Sequence, residues 1–131
     1  MNSLQIHNPA TGALITTLPA DDATSVTTKA AQARAAQPAW AAVPLAERKA
    51  CITRFRAGMV AELDGLAATM TAETGKPIKM SRNELNGLLA RIDFFLAEVD
   101  AQLATQTVFA EGGMTEQIQH TPLGVVANIS A

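Results

Sequence analysis

The sequence predicts an α+β fold that consists of an amino-terminal β-hairpin, three amphipathic helices and a terminal pair of strands. Three patterns lead to this prediction. Asn, Pro and Gly separate two short runs within residues 4–18, apolar side chains recur every three or four positions through residues 21–105, and short alternating or apolar runs occupy residues 115–131. A chain of 131 residues normally forms one domain with a hydrophobic core of its own.

The first element is a hairpin over residues 4–18, whose turn contains Asn8, Pro9 and Gly12. Proline fixes φ near about −65° and glycine tolerates positive φ, so this cluster favours a reversal of the chain. The flanking runs alternate loosely between apolar and polar residues, which is typical of two short antiparallel strands.

Two helices are predicted next. Asp21 or Asp22 can cap the first, and Pro38 should end or kink it. The second begins near Pro44, because a first helical turn tolerates proline, and it ends at Gly75. Its apolar side chains are three or four positions apart and therefore share one face: Ile52, Phe55, Met59, Leu63, Leu66 and Met70.

A third helix is predicted as far as about Thr105. Its start has two alternatives. Pro77 could be the first helical residue, or Ser81 and Glu84 could form a capping box. The apolar face again follows spacings of three and four: Leu85, Leu88, Ile92, Phe95, Val99 and Leu103.

Beyond the third helix the helical pattern fades and a Gly-Gly pair interrupts the chain. Residues 115–120 alternate as in a strand, and residues 124–129 form a short apolar run. Uninterrupted apolar strands usually lie in a sheet that is covered on both faces. Each large apolar side chain left uncovered forfeits about 1.5–3 kcal/mol, so we expect the architecture to continue beyond Ala131.

Composition limits the classes of function. Ten Lys and Arg against twelve Asp and Glu give a net charge of −2, and no basic cluster indicates nucleic acid or an anionic membrane as a partner. No apolar stretch approaches the ~20 residues of a membrane span, and residues 1–18 lack the basic residues of a signal peptide. We therefore expect a cytoplasmic protein.

Three segments resemble the aldehyde dehydrogenase superfamily. Ile6-His7-Asn8-Pro9-Ala10-Thr11-Gly12 is similar to its amino-terminal hairpin, and Glu73-Thr74-Gly75-Lys76-Pro77, followed by Arg82 and Glu84, is similar to a second motif. Residues 120–130 are similar to the strand that precedes the Pro-Trp-Asn segment of the family. Because these motifs occur in order across nearly the whole chain, the sequence resembles about the first quarter of a member. Its last strand would begin the Rossmann-like dinucleotide-binding domain.

The resemblance implies the chemistry of a full-length enzyme. An aldehyde would be oxidised to a carboxylic acid with NAD or NADP, by means of a cysteine thiolate, an oxyanion-hole asparagine and a glutamate that activates water. None of these three residues matches a position in this chain, so no catalytic residue is assigned and the 131-residue chain alone is expected to be inactive. The implied partners are the remainder of an aldehyde dehydrogenase chain, a small aldehyde and further copies in a homo-oligomer.

The resemblance also assigns binding residues. Ile129, Ser130 and Ala131 match positions whose backbone contacts the dinucleotide. Leu88 and Leu89 match positions on a helix that lines the aldehyde tunnel. An ordinary apolar helix face is an equally good interpretation of the two leucines.

A structural monovalent cation is implied at a third place. Its ligands would be the backbone carbonyls of Ile6 and His7 and the carboxylate of Glu73, and such oxygen ligands suit a hard cation. The family often has Asp where this chain has Glu73. The alternative interpretation of Glu73 is a solvated acid in the last turn of a helix.

Two further candidates have simpler interpretations. Cys51 lies beside the apolar stripe of the second helix with only Arg48 one turn earlier, so we interpret it as a structural thiol. The Gly75-Lys76 pair lacks the preceding Gly and the following Ser or Thr of a phosphate loop.

The alternative function is a free-standing helical binding or assembly module that reuses this segment. The helical periodicity is complete from residue 26 to residue 103, so three helices could close a core without the strands.

Overall fold

The computed structural model describes residues 3–129 and forms four strands and four helices within them. In chain order these elements are β1 (Ser3–His7), β2 (Leu14–Pro19), α1 (Ala23–Ala42), α2 (Leu45–Ala61), α3 (Leu63–Thr74), α4 (Ile78–Leu103), β3 (Gln106–Glu111) and β4 (Met114–Ile118). The predicted α+β arrangement of two strand pairs around a helical region is confirmed.

β1 and β2 form the predicted antiparallel hairpin. The Asn8 side chain closes the turn, because its Oδ1 accepts hydrogen bonds from the backbone N–H groups of Ala10 at 2.9 Å and Thr11 at 3.2 Å. Gly12 follows with a φ of 73°. This is the Asx-type turn chemistry that the Asn-Pro-Gly cluster favours.

α1 begins after Asp22, one of the two predicted caps, and continues past Pro38, where it was predicted to end or kink. Asp22 and Ser25 form a reciprocal capping box, in which each side chain bonds to the backbone N–H of the other residue. The prediction that Pro38 ends the helix is wrong, because α1 continues to Ala42. None of the residues of α1 is buried, so water can reach the backbone carbonyl that the missing proline N–H leaves free.

The predicted second helix is divided in two. Glu62 has φ −103° and ψ 12°, a bridge-region conformation that separates α2 from α3, so the prediction of a single helix and the count of three helices were wrong. The break is invisible in the sequence because apolar residues continue at spacings of three and four across it. Gly75 ends α3 as predicted, in the left-handed conformation with a φ of 74°.

The start of α4 lies one residue after the first of the two alternatives, because Pro77 is the cap residue and Ile78 the first helical residue. The capping-box alternative is wrong, because Ser81 lies inside the helix and is fully buried. Its Oγ shares a hydrogen bond of 2.8 Å with Oγ1 of Thr71 on α3, so this polar pair is satisfied within the core.

The core lies between α2, α3 and the first half of α4. Its buried apolar residues are Met59 of α2, Ala67 of α3, and Leu85 and Leu89 of α4. Three half-buried side chains pack against them: Leu63, Met70 and Ile92. Side chains are less buried further along α4, where Phe95 is 57% exposed. The second half of the predicted apolar face is therefore only partly covered, with Val99 half-buried and Leu103 42% exposed.

Ion pairs hold α4 to its neighbours. Arg56 of α2 donates two hydrogen bonds to the carboxylate of Asp93, at 2.5 and 2.7 Å, and Lys49 pairs with Asp100, which lies about two turns further along α4. Exposed pairs of this kind contribute about 0–1 kcal/mol each. Both pairs join α2 to α4 on the carboxyl side of the buried core residues Leu85 and Leu89.

The second strand pair is formed by different residues from those predicted. β3 pairs with β4 through a turn at Gly112 and Gly113, whose φ values of 58° and 82° fit a type I′ hairpin turn. The strand predicted over residues 124–129 is absent from the described residues, and so is its predicted pairing with residues 115–120. A strand needs a neighbour for its backbone groups, and apolar composition alone does not provide one.

Candidate functional site

The β1–β2 turn lies against the carboxyl end of α3. A Cβ built on Gly75 would stand 2.9 Å from Cγ of Pro9, so a glycine is needed both for space and for its positive φ. Glu73 is exposed in the last turn of α3. The structure therefore brings the hairpin to the helix end that carries Glu73, as a cation site with ligands from both would require.

The His7 side chain lies across the hairpin turn. Its ring Nδ1 is 3.1 Å from the carbonyl oxygen of Gly12. Within residues 3–129 no group of three or more His, Cys, Asp or Glu side chains gathers around a common point. Cation binding by Ile6, His7 and Glu73 thus depends on backbone carbonyls and stays a prediction.

The two leucines assigned to the aldehyde tunnel face different surroundings. Leu89 is buried in the helical core, whereas Leu88 is 44% exposed. Neighbouring residues on a helix point about 100° apart, which explains why one packs and the other faces solvent. Leu88 is therefore the residue of this pair that a ligand can reach, and the tunnel role of both remains a prediction.

The remaining predicted positions are the three residues assigned to the dinucleotide, Cys51 and the Gly75-Lys76 pair. Ile129 is almost fully exposed, and Ser130 and Ala131 lie outside the described residues. Cys51 is half-buried on α2, and its structural role stays a prediction. Lys76 donates to both carboxylate oxygens of Glu84 at 2.8 Å, so the Gly75-Lys76 pair is a helix terminus tied to α4.

A feature that the sequence did not reveal is a groove of about 690 Å³ that is lined by residues of α2, of the second half of α4 and by Trp40 of α1. We call it the α2–α4 groove. Its charged lining residues are Arg48, Lys49 and Glu98. Its walls are apolar and aromatic, and they include Trp40, Leu45, Ile52, Phe95, Val99 and Leu103. Periodicity predicted that Ile52 and Phe95 point toward a core, but it does not show whether anything covers them.

Some of the charged groups near this groove have defined partners. Arg48 donates a hydrogen bond to the carbonyl oxygen of Val43, and the hydrogen bond to Asp93 raises the pKa of Arg56 above its ordinary value. The Lys49–Asp100 pair occupies the same side of α4. The apolar and aromatic walls of the groove are suited to contact with other apolar groups.

Comparison with known proteins decides the family. The profile described as "Aldehyde dehydrogenase family" matches residues 1–131 of the chain.

This chain belongs to the aldehyde dehydrogenase family.

Individual relatives agree with this membership. An N-succinylglutamate 5-semialdehyde dehydrogenase of Novosphingobium aromaticivorans is 32% identical over 121 residues, which is 92% of this chain and 25% of that protein. The crystal structure of an aldehyde dehydrogenase from Brucella melitensis biovar abortus 2308 has a TM-score of 0.82 and 26% identity, covering 88% of this chain and 24% of the other. That of PnpE in complex with nicotinamide adenine dinucleotide has a TM-score of 0.81 and 26% identity, with coverages of 90% and 24%.

The chain thus spans about a quarter of the length of these aldehyde dehydrogenases. Among residues 3–129, no helix is long and apolar enough to cross a membrane.

Proposed function

We propose that this chain supplies the amino-terminal quarter of an NAD(P)-dependent aldehyde dehydrogenase, which oxidises an aldehyde to a carboxylic acid. The observation that carries the proposal is the family match over residues 1–131, together with relatives about four times as long. The catalytic cysteine, the glutamate and the oxyanion-hole asparagine would come from the remainder of the enzyme. The chain alone is therefore inactive in this proposal.

In the proposed enzyme the chain provides a scaffold and the edges of two binding sites. The backbone of residues 129–131 would contact NAD or NADP, and the complex of PnpE with nicotinamide adenine dinucleotide supports a cofactor of this class. Leu88, which is half-exposed on α4, would line the aldehyde tunnel, with Leu89 packed behind it in the helical core. The working enzyme would be a cytoplasmic homo-oligomer.

A structural monovalent cation is proposed at the junction of the hairpin and α3. The carbonyl oxygens of Ile6 and His7 and the carboxylate of Glu73 would hold it. The close approach of Pro9 to Gly75 supports this, because it brings the two ligand-bearing segments together. The cation would stabilise the docked hairpin and take no part in the reaction.

The test compares two purified proteins. One is the 131-residue chain, and the other is a longer protein that is expressed from the same gene and reaches the length of the relatives. Both are incubated with a panel of aldehydes, including semialdehydes, and with NAD or NADP, and the absorbance of the reduced cofactor is followed. We expect turnover by the extended protein and none by the short one. Turnover by the short chain, or none by a folded extended protein, would reject the proposal.

A free-standing helical binding or assembly module is the second candidate. It is favoured by one observation: the buried core contains residues of α2, α3 and α4 and none from the strands. The gene discriminates between the two functions. A stop codon directly after the codon for Ala131 would favour the module, and a Trp-Asn pair encoded shortly beyond it would favour the dehydrogenase.

A further inference from the structure

The face of α4 that points away from the helical core is unlike an ordinary solvent-facing helix surface. Gly87 lies two positions after Leu85 and two positions before Leu89, so about 200° of rotation separates it from each of these buried side chains. A helix face in water normally carries charged and polar residues. The middle of this face instead carries Gly87, Ala90 and Phe94, and Phe94 is 58% exposed. Such a face is suited to contact with another molecule.

A hollow of about 380 Å³ lies on this face and is lined by Gly87, Ala90, Arg91 and Phe94. We call it the α4 hollow. A Cβ built on Gly87 would meet no atom within 4 Å, so the missing side chain leaves open space there. Glycine is a poorer helix former than alanine, and within residues 3–129 neither a positive φ nor a close neighbour requires it at this position. The space over Gly87 is therefore open to a ligand.

Arg91 is the charged residue of the α4 hollow. It is exposed and takes part in none of the salt bridges among the described residues. Two acids of the same helix already have partners, because Asp93 binds Arg56 and Glu84 binds Lys76. A guanidinium presents a planar fork of N–H donors that matches the two oxygens of a carboxylate. The fork of Arg91 is therefore available to an anion that enters the hollow.

We propose that Arg91 binds a carboxylate at the far end of the aldehyde substrate, so that the enzyme prefers semialdehydes to neutral aldehydes. The inference rests on the proposed function, in which Leu88 lines the aldehyde tunnel. Leu88 precedes Arg91 by three positions, and side chains at this spacing are neighbours on a helix surface. A carbon chain in contact with Leu88 and Phe94 therefore places its carboxylate against the guanidinium, and Gly87 leaves room for it.

The charge of Arg91 determines the preference. Once the substrate and the remainder of the enzyme cover the hollow, water no longer solvates the guanidinium, and a covered charge without a counter-charge is costly. A semialdehyde supplies the counter-charge through charge-assisted hydrogen bonds, whereas a neutral aldehyde of the same length does not. The preference therefore arises in the binding of the substrate and leaves the chemical step unchanged.

The test uses the extended enzyme and two pairs of aldehydes of equal chain length: succinic semialdehyde with butanal, and glutaric semialdehyde with pentanal. We expect Arg91→Met to raise the KM for the semialdehydes about ten- to a hundredfold. The kcat should stay nearly constant, because the lost contact holds the far end of the substrate equally in the ground state and the transition state. The KM for butanal and pentanal should change by less than about twofold. Arg91→Lys, which keeps the charge, should recover part of the loss.

Arg54→Met is the matched control. Arg54 is an exposed arginine of α2 that takes part in no salt bridge among residues 3–129 and does not line the α4 hollow. Its substitution removes the same charge from the protein, so it should leave the KM for all four aldehydes unchanged. Far-UV circular dichroism checks that each variant keeps its helices, and Arg91→Gln replaces Arg91→Met if the latter loses them.

Two results would overturn the inference while leaving the proposed function intact. One is an unaltered enzyme that oxidises butanal and pentanal as efficiently as the matching semialdehydes. The other is an Arg91→Met variant whose KM changes equally for both members of each pair, or for neither, because the guanidinium would then hold no carboxylate of the substrate. If the unaltered extended enzyme oxidises no aldehyde at all, the proposed function fails and the inference falls with it.

Discussion

The ring of Pro9 lies so close to Gly75 that a methyl group on the glycine would stand 2.9 Å from Cγ of the proline. Gly75 also has a φ of 74°, which side-chain-bearing residues rarely adopt. We therefore expect Gly75→Ala to lower the free energy of unfolding by about 1–3 kcal/mol, as measured by urea denaturation.

Gly87→Ala is the matched control for that substitution. Gly87 lies inside α4, where an added Cβ meets nothing within 4 Å. Alanine should raise the free energy of unfolding there by about 0.5–1 kcal/mol, because it is the better helix former. If the two alanine variants were equally stable, the docking of the hairpin turn on α3 would be refuted.

The hydrogen bond between Thr71 and Ser81 should contribute measurably to the packing of α3 on α4. Ser81 is fully buried, and its Oγ lies 2.8 Å from Oγ1 of Thr71. Ser81→Ala should cost about 1–2 kcal/mol, since it leaves a part-buried hydroxyl without its partner. A double-mutant cycle with Thr71→Val should then give a coupling energy of about 0.5–1.5 kcal/mol; strictly additive effects would contradict the bond.

The adjacent leucines of α4 should separate packing from binding. Leu89→Ala should destabilise the chain by about 2–4 kcal/mol because the side chain is in the core. Leu88→Ala should change stability by less than about 1 kcal/mol, as expected for a half-exposed residue. In the extended enzyme, Leu88→Ala should change the KM for aldehydes; an unaltered KM for every aldehyde tested would remove Leu88 from the tunnel.

The start of α1 should show a defined pH dependence. The hydrogen bonds that Lys29 donates to Asp21 are the largest cause that lowers the pKa of this carboxyl below its ordinary value of 3.8. Because the pKa is lower in the folded state, the unfolded state binds more protons at pH values around and between the two pKa values. The contribution of Asp21 to stability is therefore present above pH 3.8 and is lost as the pH falls through the lowered pKa.

Nuclear magnetic resonance titration of the Asp21 carboxyl carbon tests this directly. Lys29→Met should raise the measured pKa of Asp21 toward 3.8, because it removes the largest cause of the shift. Lys79→Met, on α4, serves as the control and should leave it unchanged. A pKa of Asp21 that does not respond to Lys29→Met would show that the ion pair does not form in solution.

Local signals in the sequence were sufficient for several elements. Asp22 as a helix cap and Gly75 as a helix stop depend on backbone hydrogen bonds and conformations within a few residues, which residue type largely determines. The type I′ turn at Gly112 and Gly113 had a comparable signal, since a Gly-Gly pair between β-prone residues favours a hairpin. As a break in the helical pattern alone, the pair does not predict β3, which lies before it.

The remaining differences depend on contacts that periodicity does not encode. Leu85 and Phe95 both belong to the predicted apolar face of α4, yet the first is buried and the second is mostly exposed. Between α2 and α3, the apolar residues keep their spacing of three and four positions on both sides of the break at Glu62. Residues 124–129 have the composition of a buried strand, but strand formation requires a partner with free backbone groups. The α2–α4 groove could not be predicted from the sequence for the same reason.

The division of the second helix at Glu62 has a consequence for the order in which the chain folds. α3 and α4 are joined by only Gly75, Lys76 and Pro77, so their mutual contacts close short loops at little entropic cost. α2 is joined to α3 by the single non-helical residue Glu62 and can pack against the α3–α4 pair afterwards. We expect the α3–α4 pair to assemble first and rapidly, as local contacts do, and to form the template on which α2 and the hairpin later dock.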